Sequence, residues 1–219
     1  NIVRSLNESD HLLLLISGGG SALVPAPAVG ITLAQKIRLN DALLSSGLDI
    51  DAMNIVRRLF SRLKGGQLAR LAAPARITQF LLSDVPSNLP ESIASGPAVA
   101  DPVPFEDALA LIRANKLDQL DFVMPHLDAI VRGEVVGPVR CGDAVLDKVN
   151  TQILASNEQC RAAASRYIQH TLPQLRVIST PVLDGEASQM GRDLAELMIE
   201  QHAGNGTPDK PFGFVAGGE

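Results

Sequence analysis

Apolar runs and helical repeats alternate along most of this chain. Continuous aliphatic stretches predict strands at 12–16, 77–82, 151–155, 176–180 and 211–216. Between them, apolar residues recur at three- and four-residue spacing, which predicts helices at 33–43, from 49 or 51 to 64, and at 105–114, 121–131, 158–170 and 186–201. Strands that alternate with helices are typical of parallel sheets covered on both faces. The pattern therefore predicts an α/β fold: a three-layer, Rossmann-like, mostly parallel sheet with helices on both faces.

Local signals place the ends of the first two helices. Thr32 is a predicted N-cap and Gly47 a predicted stop for the first helix. The second helix begins after Asp49 or Asp51 and continues until Gly65-Gly66 breaks it. On this interpretation Lys64 is the last helical residue before the break.

The composition narrows the class of protein. With 219 residues and 46% hydrophobic content, the chain can bury one large domain, or one domain and part of a second. Only 3% of the residues are aromatic and none is Trp, so stacking platforms for nucleic acid are not expected. A net charge of -5 provides no general attraction for polyanions, so any phosphate recognition must be local.

Other functional classes lack support in the sequence. Cys141 and Cys160 lie outside any metal-ligand or disulfide pattern, and no Gly-x-Ser-x-Gly elbow indicates a hydrolase. No apolar stretch approaches the ~18 residues of a membrane helix, so we expect no membrane partner. The acidic net charge suits a cytoplasmic protein, and together with the low aromatic content it leads us to expect no nucleic-acid partner. The chain begins with Asn1 and stops in a glycine turn, so we expect both ends to be cut.

A glycine-rich loop follows the first predicted strand. Ser17-Gly18-Gly19-Gly20-Ser21 can present backbone N–H groups and two hydroxyls to an anion, because glycine has no Cβ to keep the ligand away. The loop matches neither common phosphate fingerprint, Gly-x-x-x-x-Gly-Lys-Ser/Thr or Gly-x-Gly-x-x-Gly. The local sequence therefore leaves two interpretations open, an anion site and a plain tight turn.

Charged residues at the ends of other predicted elements are further candidates. Asp84 directly follows a strand, where it serves as a general base, as an Mg²⁺ ligand, or only as a turn cap. Asp184 is open to the same interpretations. Lys64 and Arg57, two helical turns apart, form either an anion clamp or a solvated basic surface. Asn157 at a helix start is either an N-cap or a nucleotide contact.

An ordered set of motifs carries a family resemblance. The motifs are the segments at 15–23, 54–57, 61–66, 82–86 and 93–97, then Ser156-Asn157, 183–187 and Gly217-Gly218-Glu219. In this order they resemble the glycerate 2-kinase family, whose members are also called hydroxypyruvate reductases. The match runs along nearly the whole chain, and the family implies ATP- and Mg²⁺-dependent phosphoryl transfer to D-glycerate, giving 2-phosphoglycerate.

The resemblance also implies site residues and a domain division. It places Asp84 and Lys64 as catalytic residues, Ser17, Gly18, Gly19, Gly20 and Ser21 at phosphate, Asn54 and Arg57 near substrate or phosphate, and Asn157 and Asp184 at the nucleotide. It divides the chain into an N-terminal-type α/β domain at 1–203 and the start of a MOFRL-type domain at 204–219. A homodimer is compatible with the sequence.

The chain also departs from the family pattern. Ser87-Asn88 replaces the Gly-Asp that members commonly carry after Ser-Asp-Val-Pro, and Leu59 stands where many have His. Family segments upstream, with a functional Lys, and downstream, with an Arg, are not in this sequence, so we expect an incomplete and inactive piece. The alternatives are an NAD(P)H-dependent hydroxypyruvate reductase and a non-catalytic relative that binds a nucleotide or a metabolite.

Overall fold

The structure is a computed structural model that describes residues 2–183, 185–203 and 211–218. Contacts divide the chain into two compact units, one formed by residues 1–82 and 89–154 and the other by residues 83–88 and 155–219. Both units contain helices and strands, and each contains a parallel strand pair. The predicted α/β class is confirmed.

The first unit contains most of the regular elements. In chain order they are β1 (His11–Ile16), α1 (Gly20–Leu23), α2 (Leu33–Ser45), α3 (Ile50–Leu59), α4 (Gln67–Ala72), β2 (Arg76–Leu82), α5 (Phe105–Ala114), α6 (Val123–Val131) and β3 (Val149–Ala155). The last residue of β3 belongs to the second unit.

A three-stranded sheet lies in this part of the chain, with β2 between β1 and β3. β1 and β2 run parallel, with Leu12 opposite Ile77. The unbroken aliphatic run of β1 predicts a strand buried on both faces. However, Leu13 and Leu15 are 55% and 74% exposed. They share one face because side chains alternate along a strand, and no described residue buries that face.

The main core of the first unit lies between helices. Leu39 and Leu43 of α2 pack with Met53 and Val56 of α3 and with buried residues of α5 and α6. The start of α2 is the predicted one: the Thr32 hydroxyl accepts from the Gln35 N–H, and the Gln35 side chain accepts from the Thr32 N–H. These packed faces determine which residues of α2 and α3 face away from the core.

The prediction that the second helix reaches Gly65 is wrong. This helix, α3, is capped by Asp49, which is one of the two predicted starts, but it ends at Leu59. Phe60 then accepts from the Ala28 N–H at 3.2 Å, and Arg62 donates its N–H to Ala26 O at 2.9 Å. These long-range hydrogen bonds replace the next helical turn, which local propensity alone favours. α4, which was not predicted, follows the glycine pair.

The second unit contains α7 (Asn157–Thr171), β4 (Arg176–Leu183), α8 (Ala187–Ala203) and β5 (Phe212–Gly218). β4 and β5 pair in parallel, and α7 packs on both. No helix among the described residues is long and apolar enough to cross a membrane. The predicted boundary between 203 and 204 stays a prediction, because residues 204–210 lie outside the described part.

Candidate anion-binding site

A cavity of about 460 Å³ opens in the first unit, between the loop after β1 and the helices α2 and α3. Its wall is mostly apolar, but three cationic side chains and one amide also line it. The lining residues are Gly19, Ser21, Ala22, Pro25, Leu33, Lys36, Ile37, Leu39, Asn40, Leu43, Ile50, Arg57 and Lys64. No carboxylate occurs in this described lining.

Helix geometry brings the first polar groups to the cavity. Lys36 and Asn40 are four residues apart on α2, so they lie on the same side of the helix. Arg57 comes from the last turn of α3. Its guanidinium donates to Asn40 Oδ1 at 2.7 Å and to Asn54 Oδ1 at 3.4 Å. Two amide oxygens therefore orient Arg57 without neutralising its charge.

Lys64 reaches the cavity from a loop and not from a helix. The prediction that Lys64 and Arg57 lie along one helix is wrong, because α3 ends before Ser61. The side chains nevertheless meet at the cavity. Lys64 is only 5% exposed, which also rules out a solvated basic surface at this position. Its ammonium donates to Ser21 O at 2.8 Å and to the Ser21 hydroxyl.

The two glycines after Lys64 fix its position. The Gly65 N–H donates to Ser95 O at 2.9 Å, and the Val139 N–H donates to Gly65 O at 2.8 Å. Gly66 has φ +76°, and a Cβ there would lie 2.6 Å from the Val139 Cβ. Only glycine combines this backbone conformation with such close packing.

A buried ion pair stabilises the same region. Arg58 and Asp101 are 5% and 3% exposed in their side chains, and their charged atoms are 3.0 Å apart. The Asp101 N–H donates to Val139 O at 2.8 Å. The pair is thereby linked through Val139 to the glycines that follow Lys64.

Positive charges that lie close together in the cavity disfavour each other, and burial disfavours each of them as well. Burial, as the largest cause, and the nearby charges of Lys36 and Arg57 together lower the pKa of Lys64 from 10.5 to about 8. Burial and Arg57 also lower the pKa of Lys36, and burial lowers that of Arg57. An anion in the cavity relieves this repulsion, so the site favours a negatively charged ligand.

Donor groups remain for such a ligand. An ammonium has three N–H donors. Lys64 uses two of them on Ser21, and Lys36 uses one on Phe60 O at 3.0 Å. The Arg57 guanidinium has five donors, of which Asn40 and Asn54 take two. The three side chains together can hold a carboxylate or a phosphate by charge-assisted hydrogen bonds.

The structure separates the residues of the predicted glycine loop. Gly19 and Ser21 line the cavity, whereas Ser17 and Gly18 are exposed and do not. Gly20 begins the four-residue helix α1. The loop thus contributes to the cavity mainly through Ser21, which anchors Lys64.

The sequence analysis missed three polar residues of this region: Lys36, Asn40 and Ser95. The first two carry a signal that could have been used, since a lysine and an asparagine four residues apart on a capped amphipathic helix lie on one face. Ser95 carries no such signal, because it approaches Ser21 and Asn54 only through tertiary packing.

The remaining predicted residues belong to the second unit or lie outside the described residues. Asp84 follows β2 directly and is in the second unit. Asn157 begins α7, but the N-cap is Ser156, whose hydroxyl accepts from the Gln159 N–H at 3.3 Å. The Asn157 side chain instead accepts from Arg161 at 2.9 Å. Asp184 lies outside the described residues.

Comparison with known proteins identifies the relatives of this chain. Residues 1–128 match the family described as "Domain of unknown function (DUF4147)". A glycerate 2-kinase of Pyrococcus horikoshii is 35% identical over 100% of this chain and 49% of its own length. A putative hydroxypyruvate reductase of Agrobacterium vitis is 36% identical over 99% of this chain and 48% of its own length.

A solved structure shares the fold. The crystal structure of a glycerate kinase from Thermotoga maritima superposes with a TM-score of 0.79 and 31% identity, covering 100% of this chain and 50% of that one. The chain therefore spans about half the length of the relatives it matches.

Proposed function

The chain belongs to the glycerate kinase family, that of the DUF4147 domain, and from this premise we propose that the protein carrying it phosphorylates D-glycerate with ATP to give 2-phosphoglycerate. The cavity with three cations and no carboxylate in its described lining is the observation that carries the proposal. A small hydroxy acid and the phosphates of a nucleotide are both anions, and this pocket favours anions.

We assign the substrate carboxylate to Arg57. A guanidinium matches a carboxylate with two parallel hydrogen bonds, and Asn40 and Asn54 hold it in a fixed orientation. Lys36 and Lys64 face the same cavity and supply further positive charge. With a pKa of about 8, Lys64 is mostly protonated at neutral pH, so it can stabilise negative charge on a transferred phosphoryl group.

In the proposed reaction a glycerate hydroxyl oxygen attacks the γ-phosphorus while the bond from phosphorus to the β–γ bridging oxygen breaks and ADP leaves. The hydroxyl proton passes to a carboxylate, for which we propose Asp84, and from there to solvent. Asn157 and Asp184 remain our proposals for the nucleotide side. The roles of Asp84, Asn157 and Asp184 are proposed from the family resemblance, and Asp84 and Asn157 belong to the second unit.

An Mg²⁺ ion would neutralise charge on the β- and γ-phosphates. Among the described residues, no three His, Cys, Asp or Glu side chains come together as a metal site. Mg²⁺ in kinases needs only one or two carboxylates besides the substrate phosphates. We therefore propose that the ion arrives with ATP and that Asp84 and Asp184 are the carboxylates to test as ligands.

The experiment is an assay of the complete protein that carries this chain, with ATP, Mg²⁺ and D-glycerate, in which ³¹P NMR separates 2-phosphoglycerate from 3-phosphoglycerate. Arg57→Gln should raise KM for glycerate ~10–100-fold, because a charge-assisted hydrogen-bonded pair contributes about 1.5–3 kcal/mol. Arg113→Gln, at an exposed position on α5, is the control and should leave KM unchanged. An unchanged KM in Arg57→Gln would refute the carboxylate assignment.

A second candidate is reduction of hydroxypyruvate, favoured by the names of the relatives from Agrobacterium vitis. Hydroxypyruvate is also a three-carbon acid, so the anion cavity suits it equally. The glycine loop lacks the Gly-x-Gly-x-x-Gly order of a dinucleotide site. Oxidation of NADH with hydroxypyruvate, without any phosphorylation of glycerate, would favour this alternative. Tight binding of ATP without either reaction would instead favour a non-catalytic relative.

A further inference from the structure

A left-handed turn lies beside the cavity. Ala94, Ser95 and Gly96 have φ of 51°, 61° and 61°. For residues other than glycine this conformation costs roughly 1–2 kcal/mol each, and such strain persists where the surrounding structure imposes it, often at functional sites. Two consecutive non-glycine residues in this conformation therefore call for a specific cause.

The turn contacts both loops that carry the site. Ser95 O and Gly96 O accept from the N–H groups of Gly65 and Gly66 at 2.9 and 2.8 Å. On the other side, the Ala94 Cβ lies so near Gly20 that a Cβ at Gly20 would be 3.1 Å from it. The turn thus sets the position of the Lys64 loop relative to the loop of Ser21.

The Ser95 side chain joins a directed chain of hydrogen bonds. Its hydroxyl is fully buried and donates its only proton to Asn54 Oδ1 at 3.3 Å. Either oxygen can donate in the 3.0 Å contact between the hydroxyls of Ser95 and Ser21; with the Ser95 proton on Asn54, the donor is Ser21. Since the Ser21 proton is used in this way, the lone pairs of Ser21 are free to accept from the Lys64 ammonium.

We infer that Ser95 is a positioning residue, which holds the Ser21 hydroxyl in the orientation that accepts from Lys64 and so keeps Lys64 in place and protonated. It is not among the cavity-lining residues, so it acts through Ser21. This inference rests on the proposed function only for its effect on glycerate phosphorylation. Its effect on Lys64 can be measured without that activity.

The chain of hydrogen bonds has a consequence for the titration of Lys64. Lys36 from α2 and Arg57 from α3 face its ammonium and both lower its pKa, in addition to burial. The acceptors on Ser21 act in the opposite direction, because hydrogen bonds to the charged form favour it. Without the Ser95 hydroxyl, the Ser21 O–H can rotate toward Lys64, so the pKa of Lys64 should fall further.

The experiment compares Ser95→Ala with Ser95→Gly in the complete protein. Both remove the hydroxyl, but only glycine relieves the left-handed backbone. Ser92→Ala, on the same segment, is the control. The Lys64 side chain is titrated by ¹³C NMR of its Cε, with the resonance assigned by its loss in Lys64→Met. The pH dependence of kcat/KM for glycerate is measured in parallel.

We expect the Lys64 titration and the alkaline limb of kcat/KM to move about half to one pH unit toward acid in both Ser95 variants, and not in Ser92→Ala. A wild-type titration in Ser95→Ala would overturn the inference, even if kcat were lower at every pH. A shift in Ser95→Gly alone would also overturn it, since the backbone and not the hydroxyl would then be responsible. If the wild-type protein does not phosphorylate glycerate, the proposed function fails while the NMR titration still decides the role of Ser95.

Discussion

Replacing Lys64 by Met should stabilise the protein at neutral pH and weaken its binding of anions. The fall in pKa from 10.5 to about 8 means that burying the ammonium form costs on the order of 3 kcal/mol at pH 7, at about 1.4 kcal/mol per pH unit. Methionine has a similar shape but loses the hydrogen bonds to Ser21, which contribute about 1–2 kcal/mol. We expect a net gain of about 1–2 kcal/mol in the free energy of unfolding.

The pH dependence of this difference is the sharper test. Between pH 8 and 10.5 the unfolded lysine holds a proton that the folded one has lost, so wild-type stability rises with pH in this window and the advantage of the variant shrinks. From pH 7 to pH 9 it should decrease by about 1 kcal/mol.

Urea denaturation followed by far-UV circular dichroism measures the effect, since the chain has no Trp for fluorescence. The control is Lys116→Met at an exposed position, where the change should stay within about 0.5 kcal/mol at both pH values. A Lys64→Met difference that is constant from pH 7 to pH 9 would refute the argument that a buried charge is held there.

Two further substitutions test the support of the Lys64 loop. Asp101→Asn should lower the free energy of unfolding, measured by urea denaturation, by about 3–5 kcal/mol, because it leaves Arg58 buried without its counter-charge. The control is Asp143→Asn, in an ion pair whose side chains are 32% and 35% exposed, which should cost less than about 1 kcal/mol. Equal losses would contradict the argument from burial. Gly66 and Gly47 both have φ +76°, but only an added Cβ at Gly66 would lie within 2.6 Å of Val139. Gly66→Ala should therefore lower the free energy of unfolding by about 1–3 kcal/mol more than Gly47→Ala. It should also bind inorganic phosphate more weakly in calorimetry. Equal effects at the two glycines would show that backbone strain alone matters.

The sequence predicted the features that depend on neighbours in the chain. The strands, the Thr32 cap and most helix bounds follow from hydrophobic spacing and capping chemistry, which act over a few residues. The glycine loop was placed correctly after β1 for the same reason. Its role was left open, because a loop sequence does not reveal which side chains approach it.

Tertiary contacts decided the geometry of the cavity. Local helix propensity would place Lys64 in a continued helix. Instead, the Ala28 N–H donates to Phe60 O and the Arg62 N–H donates to Ala26 O, and these hydrogen bonds end the helix early and turn the chain. Ser95 reaches Ser21 across 74 residues of sequence.

The amino-acid sequence by itself determined the order of the longer strands and helices, two of the three cations, Arg57 and Lys64, as candidates, and the glycines that allow a tight approach, because each depends on local chemistry. Only the folded chain decided that Lys36, Arg57 and Lys64 share one cavity without a carboxylate among its described lining residues. Burial lowers the pKa of all three side chains, and repulsion from neighbouring cations lowers the pKa of Lys36 and Lys64 as well. These effects depend on distances in space that sequence spacing does not encode.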